Sequence, residues 1–166
     1  MMFGLGDGTF SLQTREELGW CNFTAIADIN NDTFLDYSVS SFIDNTDGFT
    51  VYFGDGTGNA VAGTTIPIPG SSICRLHAAD FDGDGNNDLV MSPVFGELSL
   101  FLGNGRGGFS SRLRFEREDA NYLGYGDVLG DARPEIFRKP TNEGSDAKRR
   151  DGYTSWKRFR RLLWES

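Results

Sequence analysis

The sequence is poor in the residues that most often build covalent cross-links, zinc sites and catalytic centres. It contains two cysteines and one histidine among 166 residues. Two cysteines are too few for a disulfide framework, and no zinc-binding spacing accompanies them. His77 has no Ser/His/Asp or Cys/His signature around it, so we expect a structural or surface role. No catalytic residue is predicted, and we expect the chain not to be an enzyme.

Long apolar runs are also missing. No stretch approaches the ~20 apolar residues that a membrane-spanning helix needs, so no transmembrane segment is expected. The first residues, 1–7, contain neither a basic region nor an apolar region, and they do not predict a signal peptide.

Positive charge is scarce over most of the chain. Residues 1–137 contain 7 Lys and Arg against 20 Asp and Glu, whereas residues 138–166 contain 9 against 4. Nucleic-acid binding needs clustered cations, so the acidic part argues against that class of partner. It suits a hard cation such as Ca²⁺, although acidity that only aids solubility would look the same.

Glycine and phenylalanine are abundant, with 22 and 14 residues. Glycine supplies turns and phenylalanine supplies a core, which favours many short strands over long helices. An acidic segment recurs at residues 28–36, 80–88 and 127–135, with starts 52 and 47 residues apart. A glycine-rich segment recurs at residues 3–10, 53–58 and 102–109, with starts 50 and 49 apart.

Two markers with one period of about 50 residues predict repeated units of four short antiparallel strands. In the middle unit the predicted strands are residues 72–79, 88–92, 97–102 and 109–115. Four strands per repeat of this length are typical of a β-propeller blade. The fold class predicted is therefore all-β, a partial propeller of about three four-stranded antiparallel blades over residues 1–137, followed by an irregular basic tail.

These motifs resemble a known family. The acidic loop before an apolar strand, together with the segment Phe53-Gly54-Asp55-Gly56-Thr57-Gly58, is similar to the FG-GAP repeats of integrin-α-type and related propellers. The resemblance implies a β-propeller that holds calcium in the loop between two strands of each blade. It also implies an extracellular or cell-surface location.

The second acidic loop has the spacing of a calcium site. Carboxylates at alternate positions can surround one ion where the backbone turns sharply, and glycines at positions 4 and 6 permit the turn. An EF-hand is excluded, because position 12 is Met91 in a predicted strand. The alternative is an Asp/Gly-rich turn without metal, in which the crowded carboxylates would repel one another. The ligands predicted at positions 1, 3, 5, 7 and 9 are Asp80, Asp82, Asp84, Asn86 (through its backbone carbonyl) and Asp88.

The other two loops depart from this pattern. The first loop keeps oxygen ligands at positions 1, 3, 5 and 9, but Thr33 replaces glycine at position 6, where it must adopt a positive φ or distort the loop. In the third loop Leu129 removes the position-3 ligand and Pro134 stiffens position 8, so a metal-free turn is expected. The ligands predicted in the first loop are Asp28, Asn30, Asp32 and Asp36.

Cys21 and Cys74 occupy nearly equivalent places before the first and second loops. Equivalent points on neighbouring blades are usually too far apart for a disulfide, except near the propeller axis, so two buried free thiols are expected. Residues 138–166 are expected to be disordered or a short helix. A membrane-surface helix, a helix docked on the acidic body and a segment foreign to the fold remain alternatives.

The resemblance implies a ring of roughly six to eight blades, and this chain supplies about three. We expect a fragment, a truncated product or a part that self-associates through open edges. The expected function is non-catalytic binding or adhesion with a protein or glycan ligand. The alternatives are part of a secreted carbohydrate-active enzyme, such as a polysaccharide lyase, and a degenerate product without activity.

Overall fold

The computed structural model describes residues 2–12, 20–43, 46–68, 72–95, 98–115, 120–130, 134–140 and 157–159. These residues form strands and turns, with no helix and hence no membrane-spanning helix among them. The strands are β1 Met2–Gly4, β2 Phe10–Leu12, β3 Trp20–Ala27, β4 Asp36–Ile43, β5 Thr46–Gly54, β6 Ala60–Pro67, β7 Ser72–Ala79, β8 Asp88–Phe95, β9 Leu98–Gly103, β10 Phe109–Phe115, β11 Ala120–Gly126, β12 Glu135–Pro140 and β13 Lys157–Phe159.

The strands form four antiparallel sheets in which chain neighbours are also sheet neighbours. Strands β3–β6 form the first four-stranded sheet, blade 1, and β7–β10 form the second, blade 2. Strands β1 and β2 form a hairpin, and β11–β13 form a three-stranded sheet. The all-β prediction and the four-strand unit are confirmed, and the sheets are consistent with propeller-like blades that do not close into a ring.

The third unit differs from the expected arrangement. Its third strand is β13, which comes from the basic tail and pairs with β12 at Ile136, Phe137 and Arg138. Strand β12 itself continues to Pro140, beyond the expected boundary at residue 137. Residues 157–159 are therefore strand, where the sequence indicated disorder or a helix.

The main core lies between blade 1 and blade 2, whose first strands β3 and β7 are neighbours. Phe49 is at its centre, with its ring edge-on to Phe101 at 5.1 Å and to Phe109 at 5.7 Å between ring centroids. The buried members of this core are Ala25, Ile29, Phe49, Val51, Ile68, Leu76, Leu89, Met91 and Phe101.

Blade 2 buries both of its faces. Leu89 and Met91 of β8 belong to the core shared with blade 1, whereas Val90 between them packs with Phe81 and Ile136 on the opposite side. Side chains alternate across a strand, so one apolar run supplies both layers. This burial explains why β8 reads as a continuous apolar segment, and it fixes the loop that precedes β8 between two neighbouring sheets.

The prediction for the two cysteines falls only partly within the described residues, whereas His77 is described. Cys21 and Cys74 lie on β3 and β7, but their side chains are outside the described part of the structure, so their state stays a prediction. His77 lies on β7 and its ring packs at 5.0 Å from that of Tyr125.

Candidate metal centre

Each acidic loop joins the first and second strands of its sheet. Residues 28–35 connect β3 to β4, residues 80–87 connect β7 to β8, and residues 127–134 connect β11 to β12. Loop positions are counted below from the first aspartate, so position 9 is the first residue of the following strand.

The position-9 carboxylate ties its loop to the rest of the blade. Asp88 accepts hydrogen bonds from the backbone N–H of Phe81 and from that of Gly103, both at 2.8 Å. In blade 1, Asp36 accepts from the N–H of Ile29 at 2.8 Å and from that of Gly54 at 3.0 Å. Both aspartates are fully buried. Buried backbone donors need such partners, so position 9 has a structural role that the sequence analysis missed.

The third unit keeps part of this arrangement with a longer side chain. Glu135 is buried and accepts from the backbone N–H of Val128 at 3.0 Å. The bond from position 2 to position 9 therefore occurs in all three units.

In blade 1 and blade 2, the glycine that opens the glycine-rich turn is required by a close approach of backbone. A Cβ at Gly103 would collide with the carbonyl oxygen of Asn87, and a Cβ at Gly54 would collide with that of Leu35. In both cases the carbonyl belongs to position 8 of the acidic loop. The acidic loop and the glycine-rich turn of the same blade, which the sequence shows as two separate repeated markers, thus contact each other in the structure.

Within the second loop, side-chain oxygens hold the backbone in a tight curl. Asp80 accepts from the N–H of Gly83 at 2.6 Å and, through its other oxygen, from that of Gly85 at 2.9 Å. Asp82 accepts from the N–H of Asp84 at 3.1 Å. Gly83 and Gly85 have φ values of 78° and 87°, as expected for positions 4 and 6.

Three carboxylates of the second loop converge. Asp80, Asp82 and Asp88 each offer one oxygen, and these oxygens lie within 4.8 Å of one another. Two oxygens bound to the same Ca²⁺ at about 2.3–2.6 Å are at most about 5 Å apart, so the group fits one ion. All the donors are carboxylate oxygens, which suit a hard cation. Three of the five predicted ligands therefore face the same point.

Asp84 is not a member of this group. One of its oxygens accepts from the backbone N–H of Asn86 at 2.8 Å, and the other accepts from the side-chain Nδ2 of Asn86 at 2.9 Å. Asp84 and Asn86 are therefore bonded to each other, and an ion bound by Asp84 would compete with the Asn86 amide for an oxygen.

The electrostatics of the group favour a cation. Burial raises the pKa of Asp88 to about 6, against hydrogen bonds from Gly103 and Phe81 that act in the opposite direction. Burial, together with the charges of Asp84 and Asp80, also raises the pKa of Asp82. Hydrogen bonds from Asn86 lower the pKa of Asp84. Loss of water around charged oxygens destabilises their ionised forms, and a bound divalent ion would reverse that effect.

The first loop has the same curl with fewer charges. Asp28 accepts from the N–H groups of Asp32 at 3.1 Å and Thr33 at 2.8 Å. The Asn30 amide accepts from the N–H of Asp32 at 3.0 Å and donates to its carboxylate at 2.8 Å. Asn31 and Thr33 have φ values of 61° and 77°, so the expected positive φ at Thr33 is confirmed. Among the described residues, the first loop does not form a group of three converging acidic ligands.

The third loop is described only in part. Asp127 accepts from the N–H of Gly130 at 2.7 Å, and Gly130 has a φ of 72°. Leu129 is exposed at position 3, where the other loops have Asn30 and Asp82. Asp131 lies outside the described residues, so the expectation of a metal-free turn stays a prediction.

Comparison with protein families finds one match. Residues 28–91 match the family model described as an FG-GAP-like repeat, which confirms the resemblance seen in the sequence. The matched segment starts at the first acidic loop and ends in β8, so it includes both the first and the second loop. No curated protein matches the chain significantly. The match and the four-stranded sheets together support a repeat module of the β-propeller type.

Proposed function

We propose that this module, whose residues 28–91 carry the FG-GAP-like repeat, binds calcium in its second acidic loop. The observation that supports the proposal is the convergence of oxygens from Asp80, Asp82 and Asp88 within 4.8 Å. Asp84 and the backbone carbonyl of Asn86 would complete the oxygen shell. The first loop, with ligands at Asp28, Asn30, Asp32 and Asp36, would be a second and weaker site.

The bound ion has a structural role in this proposal. It neutralises carboxylates that burial has left poorly solvated, and it links positions 1 and 3 of the loop to the start of β8. Because Asp88 also accepts from Gly103, the ion fastens the acidic loop to the glycine-rich turn of the same blade. Calcium would therefore stabilise blade 2 as a unit.

The proposal extends to a non-catalytic role outside the cell, in adhesion or in binding a protein or glycan ligand. The FG-GAP-like match supports this class of module. Each sheet has an edge strand with a single neighbour among the described residues, and these edges support a further proposal, that the chain associates with itself. Binding of the calcium-loaded chain to a glycan array, with the chelated chain as the control, tests the glycan part, and light scattering after size exclusion tests self-association.

Calcium titration tests the central claim. Isothermal titration calorimetry of the full chain should give a saturable signal with CaCl₂ and a much weaker one with MgCl₂, because Mg²⁺ prefers a smaller octahedral shell with several waters. With a Kd of about 10⁻⁴–10⁻³ M, millimolar calcium should add roughly 1 kcal/mol to the free energy of unfolding.

The variant Asp82→Asn should abolish most of this gain, because it removes one of the three converging carboxylates. Asp55→Asn is the matched control, since it removes the same charge from an exposed turn where Asp55 accepts from Thr57. If wild type shows no calcium heat, or if Asp82→Asn gains as much stability from calcium as wild type, the proposed site is wrong.

A further inference from the structure

The first and second acidic loops are joined to each other by hydrogen bonds across the boundary between the blades. The side-chain Nδ2 of Asn31 donates to Oδ1 of Asn86 at 2.7 Å, although the two residues are 55 positions apart in the sequence. The side-chain Nδ2 of Asn87 donates to the backbone carbonyl of Asp28 at 2.8 Å. The first loop is thus the donor in one of these hydrogen bonds, and the second loop is the donor in the other.

A third segment of the chain packs against the Asn31–Asn86 pair. Gly105, in the glycine-rich turn of blade 2, lies directly against both amides, since a Cβ there would collide with Nδ2 of Asn31 and Oδ1 of Asn86. Asn31 occupies position 4 with a φ of 61°, a conformation that asparagine tolerates better than most residues. The second loop has Gly83 at that position, so the bridging amide comes from the first loop alone.

The bridge continues into the proposed calcium ligands. Asn86 receives the bond from Asn31 and itself donates to the carboxylate of Asp84 at 2.9 Å. In the opposite direction, Asn87 bonds to the carbonyl of Asp28, whose carboxylate accepts the N–H of Thr33 in the first loop. Each loop therefore positions a predicted ligand residue of the other.

We propose that the two loops form one coupled cation-binding unit, in which an ion in either loop raises the affinity of the other. This proposal rests on the proposed calcium function. It assigns the coupling between the two loops to Asn31 and Asn87, which act as positioning residues. An ion bound in one loop orders the amides shared with its neighbour, so the second ion meets a loop that is already partly ordered. The coupling must be equal in both directions, because it is a property of the shared equilibrium.

The test uses calcium titrations of the full chain by calorimetry, with variants that isolate each loop. Asp28→Asn weakens calcium binding in the first loop, so the titration reports the calcium affinity of the second loop. Asp82→Asn weakens calcium binding in the second loop, so the titration reports the calcium affinity of the first. Asn31→Gly removes the bridging amide while keeping a residue that accepts the positive φ. We expect Asn31→Gly to weaken calcium binding in the second loop about five-fold or more, the usual lower range of such coupling.

Two further variants make the result specific. Asn87→Ala should weaken calcium binding in the first loop by a comparable factor. Asn59→Ala should leave both affinities unchanged, because the Asn59 amide donates within its own turn to Thr57. The melting temperature in chelator separates a positioning role from a general loss of stability, and it should be nearly the same for Asn31→Gly and wild type.

The double variant Asn31→Gly with Asp28→Asn tests the coupling even if a single variant also loses stability. The losses of calcium affinity that the two changes cause in the second loop should not add, because each change removes the same stabilising effect of the first loop on the second. Additive losses, a single-site isotherm for wild type, or unchanged affinities in both Asn31→Gly and Asn87→Ala would overturn the coupling while leaving the calcium site in place. Absence of any calcium binding by wild type would instead overturn the proposed function, and the coupling with it.

Discussion

Asp88 and Gly103 are joined by a 2.8 Å hydrogen bond in which the glycine N–H donates to the buried carboxylate. Asp36 and Gly54 form the same bond in blade 1, at 3.0 Å. In each blade the bond connects the end of the acidic loop to the start of the glycine-rich turn, about 15 to 18 residues later. This contact explains why the two markers recur with one period, and it gives position 9 a structural role that is separate from its proposed role as a metal ligand.

The first prediction concerns that structural role. In chelator at pH 7, Asp88→Ala should lower the free energy of unfolding by roughly 2–4 kcal/mol, because it leaves two buried N–H groups without an acceptor. Asp84→Ala, at an exposed position of the same loop, should cost less than about 1 kcal/mol. Urea denaturation followed by circular dichroism measures both. Equal losses for the two variants would contradict the assignment.

The second prediction concerns the close approach at Gly103. Gly103→Ala should destabilise the chain by at least about 2 kcal/mol, because the added methyl group meets the backbone carbonyl of Asn87, which cannot move without shifting the loop. Gly126→Ala is the control, since nothing lies within 4 Å of a Cβ there, and it should be neutral or slightly stabilising. Thermal melts of the two variants should therefore shift in clearly different ways, and similar shifts would argue against the contact.

The third prediction exchanges the residues at position 6. Thr33→Gly should stabilise the chain by up to about 1 kcal/mol, because Thr33 is exposed and has a φ of 77° that a β-branched residue adopts at a cost. Gly85→Thr, at a φ of 87° in the second loop, should destabilise it by roughly 1–2 kcal/mol. Chemical denaturation in chelator measures both effects, and they should have opposite signs. A loss of stability in Thr33→Gly would show that the hydroxyl side chain contributes more than its backbone strain costs.

The fourth prediction concerns pH in the absence of calcium. The pKa of Asp88 is raised to about 6, above the ordinary value of 3.8, so the folded state binds a proton more tightly than the unfolded state does. Stability from this group is therefore fully present below about pH 4 and is lost as the pH rises through about 6.

Unfolding free energies in chelator at pH 5, 6 and 7 should show this loss in wild type relative to Asp88→Asn, which does not titrate. Millimolar calcium should remove the effect, because a bound ion favours the charged carboxylate. A wild-type advantage that grows with pH in chelator would mean that the pKa of Asp88 is lowered in the folded state.

The strands of the middle unit were predictable from the residues alone. The expected first and last strands, 72–79 and 109–115, coincide with β7 and β10, because alternating apolar residues and glycine-rich turns specify short strands locally. The third unit was less predictable. Its third strand, β13, comes from a basic segment without that alternation, and pairing with β12 is a long-range contact that local preferences do not encode.

The candidate site was predictable in its composition but not in its connections. Oxygen-bearing residues at odd loop positions, with glycine between them, follow from what calcium needs. The bonds of Asp84 to Asn86, and of Asn31 to Asn86, depend on side-chain directions and on how two blades meet. Neither follows from spacing, because the partners are set by the surrounding backbone.

By itself, the sequence of this protein determined the all-β fold, the period of about 50 residues, and the loops that carry the acidic residues. These features depend on local patterns, since turn residues and alternation act over a few positions. Only the tertiary structure decided which carboxylates converge, which one serves the backbone of the neighbouring turn, and that the first and second loops touch. Those relations arise when blade 1 and blade 2 pack around Phe49, because burial of that shared apolar core brings together loops that are about 50 residues apart in the chain.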